Sequence, residues 1–263
     1  MIGDFFNTVF LGPIINLLVL ILNFFQGLGI PGALGFAIIV LTVIIRFVTW
    51  PFTHAQLKSA KKMADLKPHM DALQKKHKDD KQALAAAQMA LYKEHGVNPV
   101  GGCLPSLLQI PVIWGLYTVV LALFDPARGV TFINNFLYFE AWKLTSAPEP
   151  NFFGINLSIK PSEFATAGII LLLIPLVTAG LQFVQSRMMA PKVVKTYPSD
   201  SPKEKKEKED AKDTMASMQS QMMFMMPLMI GYFAFTLPVA VALYWNTMTI
   251  MGIWQQYLIN KQP

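Results

Sequence analysis

Long apolar runs alternate along this chain with polar segments, and the pattern predicts helices throughout. The clearest run, GFAIIVLTVIIRFVTWPF, lies within residues 33–53 and is apolar except for two threonines and Arg46. A helix needs about 20 apolar residues to cross a bilayer. Further runs of that kind occupy residues 100–124, 164–189, 214–237 and 238–259. Residues 54–99 are rich in Ala, Leu, Lys and Gln, good helix formers, and read as a hairpin of two helices. Pro68 suits the first turn of one arm, Asp79 and Asp80 the acidic start of the other, and Gly96 and Pro99 its stop. Residues 125–163 form a mixed, aromatic loop, 190–213 a segment dense in both charge signs, and 260–263 a short tail.

The N-terminal residues 1–32 are apolar but interrupted by Asn16, Asn23 and Gln26, which fall near one helical face. No basic residue precedes the run, so it does not read as a cleaved signal. The polar stripe suits a helix lying in the membrane interface, and a sixth span is its rival. The pattern as a whole predicts an all-α integral membrane protein. It has five transmembrane helices, an N-terminal interfacial helix and a helical hairpin. Composition agrees: 53% of the 263 residues are hydrophobic and 14% charged, against about 25% charged in soluble domains.

Charge sets the orientation. Lysines crowd residues 54–99 and 190–213, whereas residues 125–163 carry only Arg128, Lys143 and Lys160. Positive loops stay inside, so the expected topology is N-out, C-in, with both lysine-rich segments in the cytoplasm. The net charge of +6 is then a topology signal, with no specific nucleic-acid partner implied. The lone Cys103 excludes an internal disulfide. His54, His69, His77 and His95 are scattered among charged residues and read as solvated, so no metal or other cofactor is expected. No phosphate-binding loop and no nucleophile–base pair is visible, and the chain does not read as an enzyme.

Arg46 is the candidate functional residue. A charge at the centre of a spanning helix costs roughly 2.5–3.5 kcal/mol on insertion scales. It lies about 9 Å from the end of the apolar run at 1.5 Å per residue, within partial reach of the headgroups by snorkelling. The residues alone leave snorkelling and a working intramembrane charge both standing. Other polar positions gather toward the same end of the spans: Gln109, then Gln182 and Gln185, with Trp245 and Asn246 in the last run. Facing one another, they would form a wet groove with one fixed positive charge. Met215, Met218, Met222, Met225, Met226 and Met229 form a helical stripe, which reads either as packing or as a repackable surface for partner helices.

The stretch KPHMDALQKKHKDDKQALAAAQMALYKEHGVNPVGGCLPSLLQIPV, with RFVTWPF before it and LPVAVALYWNTMTI near the end, resembles the YidC/Oxa/Alb family of membrane protein insertases over about residues 33–260. The resemblance implies a five-helix core, a cytoplasmic hairpin and a hydrophilic groove open to cytoplasm and lipid but closed outside. It matches Arg46 to the groove arginine and Trp245 to a groove aromatic, and it leaves Gln182 and Gln185 as alternatives for the third-span polar position. It implies a non-enzymatic insertase and folding helper. Its partners would be nascent membrane proteins and the lipid bilayer, with the ribosome and a Sec translocon as further candidates. Recruitment would fall to the hairpin lysines Lys75, Lys76, Lys78 and Lys81. The absence of a large domain before residue 33 resembles the short form, and the short tail with one lysine argues against tail-mediated ribosome docking. The rival readings are a secondary transporter of a small anion, against which no internal repeat is visible, and an assembly scaffold that inserts nothing. Reporters placed after Pro263 and among residues 203–212 should read cytoplasmic, and one near Ala147 external. A C-terminus that reads external would break the five-span topology.

Overall fold

The computed structural model describes residues 2–77, 80–97, 104–189 and 223–261. These are predominantly helical. A helical turn Ile2–Phe6 and a π-helical turn Asn7–Leu11 lead into α1 (Gly12–Gly27). After the bend at residues 28–32 comes α2 (Ala33–Asp65), the longest helix at 33 residues. The hairpin arms are α3 (Lys67–Lys76) and α4 (Lys81–Glu94). Asp80 caps α4, its side chain accepting from the Gln82 and Ala83 amides at 3.0 and 2.9 Å. Then follow α5 (Leu104–Leu123), α6 (Gly129–Asn135), α7 (Leu173–Met189), α8 (Met223–Thr236) and α9 (Val239–Asn260).

Among the described residues, three stretches are long and apolar enough to cross a membrane: Gly3–Gly27, Ala33–Met63 and Ile169–Met188. Gln109–Leu123 and Met223–Thr236 are shorter apolar helices. Helix α9 has the length, with 22 residues, but carries Asn246, Gln255 and Gln256. Large apolar side chains such as Phe47, Trp114, Leu176, Leu228 and Ile250 point outward from the helices, as they do where the surrounding solvent is lipid.

Several details depart from the sequence pattern. The first polar segment does not begin a new helix at residue 54; α2 runs through that point to Asp65. It passes Pro51, which removes one helical N–H. Nearby, the Thr49 and Thr53 hydroxyls bond back to the Ile45 and Thr49 carbonyls. The third apolar run is not one helix from Phe164. Gly168 has φ of 112°, open to glycine alone, and a 3-10 turn Ile169–Leu172 intervenes before α7. The loop between α6 and α7 also contains a two-stranded ribbon, Asn151–Phe152 against Ile155–Asn156. The charged segment 190–213 and Met215, Met218 and Met222 lie outside the described residues. Met225, Met226 and Met229 are exposed on α8, which packs on α7 through small residues: Gly231 sits over Ala179 and the Pro175 carbonyl.

Two of the three polar residues of the N-terminal stripe are turned to protein, while Gln26 is exposed. Asn16 is 4% exposed. Its amide donates to the Gly12 and Phe136 carbonyls at 2.9 and 2.7 Å, and its carbonyl oxygen accepts from the Tyr138 N–H at 2.8 Å. Asn23 donates to the Trp142 carbonyl at 3.2 Å. The stripe is therefore a docking strip for the loop over residues 136–142. The same loop closes the start of α9: the Val239 and Ala240 amides, which have no partner inside their helix, donate to the Ile159 and Leu157 carbonyls, both at 2.9 Å. Around these contacts lies one apolar cluster drawn from α1, α2, α5 and the first half of α9. Replacing Asn16 by Ala leaves buried loop groups unpaired, at about 1–3 kcal/mol each. Asn16→Ala should therefore lower the melting temperature in detergent and expose residues 136–142 to protease, and Asn23→Ala should do so less. Equal effects would reject the docking-strip account.

Candidate functional site

The site is built on one face of α9, which packs between α2 and α7. Residues 244, 248, 252 and 255 recur at helical spacing and look toward those two helices. The first, Tyr244, is 1% exposed and closes the apolar cluster. Its hydroxyl accepts from the Gln109 amide nitrogen at 2.6 Å, which ties α5 to α9. Beyond Tyr244 the interior turns polar.

Arg46 comes from α2, one turn past the buried Leu41 and Thr42. Its Nη2 donates to the Met248 carbonyl at 2.6 Å. Among the described residues, the partner of the guanidinium is thus a backbone oxygen of α9 and not a carboxylate. Arg46 Nε is buried with no partner among the described residues. The same holds for Asn246 Oδ1 and Gln256 Oε1 on α9. Buried polar atoms are nearly always satisfied, so each of these three atoms calls for water or another polar partner. A turn beyond Arg46, Gln255 donates to Thr53 Oγ1 at 2.8 Å and to the Trp50 carbonyl at 3.3 Å. Trp50 packs on Trp254 with ring centroids 5.3 Å apart. Gln256 donates to Asn260 at 3.0 Å.

The structure brings some predicted residues together and leaves others apart. Arg46 meets α9, and Gln185 reaches the same point: its amide nitrogen and Arg46 Nη2 both border the bare backbone of Gly252. Gln109 meets Tyr244 instead, farther along the bundle. Gln182 and Trp245 are half-buried and joined to Arg46 by no hydrogen bond among the described residues. Of the hairpin lysines, Lys76 is exposed on α3; the side chains of Lys75 and Lys81, and Lys78 entirely, lie outside the described residues. Sequence reading gave Tyr244, Thr53, Gln255 and Gln256 no role in the site. Gln255 and Gln256 are both buried. The signal available was their helical spacing from Tyr244 and Met248.

The arrangement can do two things. A guanidinium with free donors, in a poorly hydrated interior, attracts carboxylates and other anionic groups. A layer of polar side chains at one end of α9, beside an apolar cluster at the other, offers hydrogen-bond partners to polar groups at that end. The Gln109–Tyr244 pair lies where the two layers meet. Gln109→Leu and Tyr244→Phe should be non-additive in unfolding free energy, with coupling of about 0.5–3 kcal/mol as for groups in one hydrogen bond. Strict additivity would show that the hydroxyl is not the amide's partner.

Comparison with known proteins places this geometry. Residues 25–263 match the family described as 60Kd inner membrane protein. The chain is 34% identical over 245 residues to the membrane protein insertase YidC of Rickettsia rickettsii (strain Sheila Smith), covering 91% of this chain and 37% of that protein. It is 29% identical over 231 residues to the membrane protein insertase YidC of Fusobacterium nucleatum, covering 88% of each. The chain thus spans little more than a third of the Rickettsia relative and most of the Fusobacterium one. Among solved structures, the crystal structure of active YidC insertase with its first transmembrane domain resolved is similar at a TM-score of 0.54 and 23% identity. That match covers 91% of this chain and 44% of that one and shows a shared fold.

Proposed function

We propose, because this chain belongs to the 60Kd inner membrane protein family, that it is a multi-pass membrane protein insertase which inserts nascent membrane proteins and helps them fold. The observation that carries the mechanism is the Arg46 guanidinium, within the apolar part of α2, held against the Met248 carbonyl at 2.6 Å. Arg46, with Gln185 beside it and the orphaned Asn246 and Gln256 oxygens along α9, forms the wall of a hydrophilic groove. Gln109, Gln182 and Trp245 extend that wall. The loop docked on Asn16 and on the start of α9 supports a groove closed at the outer end.

In this reading the exposed apolar faces of α7 and α9, with Leu176, Val177, Val184 and Ile250, are the slide along which a client helix passes into lipid. The client's acidic segment is held transiently by Arg46 and released outside. The hairpin lysines Lys75, Lys76, Lys78 and Lys81 receive the incoming segment. Hydrophobic partitioning drives the step, assisted by the membrane potential at about 2.3 kcal/mol per charge per 100 mV. The working topology is five spans, N-out and C-in, with the N-terminal helix as an interfacial brace. The ribosome and a Sec translocon are partners this reading accommodates without requiring them.

Insertion of paired single-span clients with acidic or neutral translocated tails, scored by protease protection in liposomes, tests the groove charge. Arg46→Lys keeps the charge and should retain most activity. Arg46→Ala should lower insertion of the acidic-tailed client about tenfold, the scale of one charge-assisted hydrogen bond, and of the neutral one far less. Arg46→Glu should be worst for the acidic tail. If Arg46→Ala inserts both clients like the unmodified protein, the charge does not recruit. Uptake of a small anion without insertion would favour a transporter instead.

A further inference from the structure

The proposed groove leaves one residue without a role. Gly252 stands in the middle of α9, buried, between α2 and α7. Its backbone is ordinary helix, so no unusual dihedral asks for glycine there. Glycine also weakens a helix relative to alanine. Something else must favour it, and the surroundings supply a reason. A Cβ at this position would overlap the Gln185 amide nitrogen and stand 3.0 Å from Arg46 Nη2. Two polar side chains from two other helices fill the space that a single methyl group would take.

Helix geometry explains why the notch lies there. In an α-helix the carbonyl of residue i points along the axis toward residue i+4. The Met248 carbonyl therefore points at Gly252. With any side chain at that position, the flank of this oxygen would be covered. With glycine it is bare and can accept a second hydrogen bond beyond the one inside its own helix, since a carbonyl has two lone pairs. Arg46 Nη2 takes that place at 2.6 Å.

We infer that Gly252 is a positioning residue: its missing side chain opens a notch in α9 that seats the Arg46 guanidinium on the Met248 carbonyl and admits the Gln185 amide beside it. The notch fixes the charge at one depth and turns its remaining donors toward the groove. It also chooses between the two glutamines of α7, assigning Gln185, and not Gln182, to the charge. This rests on the insertase reading for its consequence in client handling, and on geometry alone for the contact itself.

Two measurements separate those levels. The first is a double-mutant cycle on stability, read as melting temperature in detergent, and it needs no client. Gly252→Ala should lower the melting temperature. Gln185→Ala removes the amide that the new methyl would strike, so the double variant should melt higher than Gly252→Ala alone. Additive losses would overturn the notch. The second is insertion of acidic-tailed and neutral-tailed clients. Gly252→Ala should reduce the acidic-tailed client several-fold and leave the neutral one within about twofold, a split that a merely structural defect does not produce. Gln185→Ala added to it should recover part of that loss. Equal loss for both clients, or none, would overturn the positioning role. Arg46→Ala run in parallel tells the failures apart. If it too leaves the acidic-tailed client unaffected, the groove-charge reading falls while the stability cycle still decides the notch. If Gly252→Ala does not accumulate in membranes, the double variant should, and its failure to do so would count against the notch equally.

Discussion

A guanidinium inside an apolar bundle needs an acceptor, and here the acceptor is the backbone of another helix. The Arg46–Met248 bond at 2.6 Å joins α2 to α9 across 202 positions of sequence. Helix association in lipid gains little from burying apolar surface, because the surroundings are equally apolar. Polar contacts therefore decide which helix lies against which. Gln255 on Thr53 and Trp50, and Gln109 on Tyr244, follow the same rule. These three ties fix α9 relative to α2 and α5, and the apolar cluster fills what they leave.

The bundle is consequently divided along its length. One part is apolar and ends at Tyr244. The other is polar and incompletely satisfied, with Arg46 Nε and two side-chain oxygens of α9 unpaired. A fold tuned for stability alone would pair or remove such groups.

How much was legible in the sequence varied with the kind of signal. The helical, membrane-spanning character was open to view, since apolar runs of bilayer length have few other meanings. Arg46 stood out because no other charge interrupts its run. The choice between Gln182 and Gln185 was not legible: three residues apart, they share a helical face, and only the bare backbone of Gly252 separates them. The burial of Gln255 and Gln256 was not legible, because polar residues near the end of an apolar run usually mark the membrane boundary; in the structure both side chains lie buried on the last helix. The break at Gly168 was hidden within an unbroken apolar run. Asn16 read as a water-facing stripe because its true partners, the backbone groups at Phe136 and Tyr138, lie 120 or more residues away and leave no periodic trace.

The seat of α9 has a bearing on how the molecule is assembled. The amides of Val239 and Ala240 end on carbonyls of Ile159 and Leu157. Those acceptors are synthesised well before the donors. The last helix is thus received by a prefabricated socket instead of building its own terminus, and its depth is measured from the loop and not from its own hydrophobic length. For a helix with glutamines at its far end this matters, because apolar length alone would place it poorly. The loop therefore acts as a ruler: it sets where along the bundle Met248, and with it the Arg46 guanidinium, comes to rest.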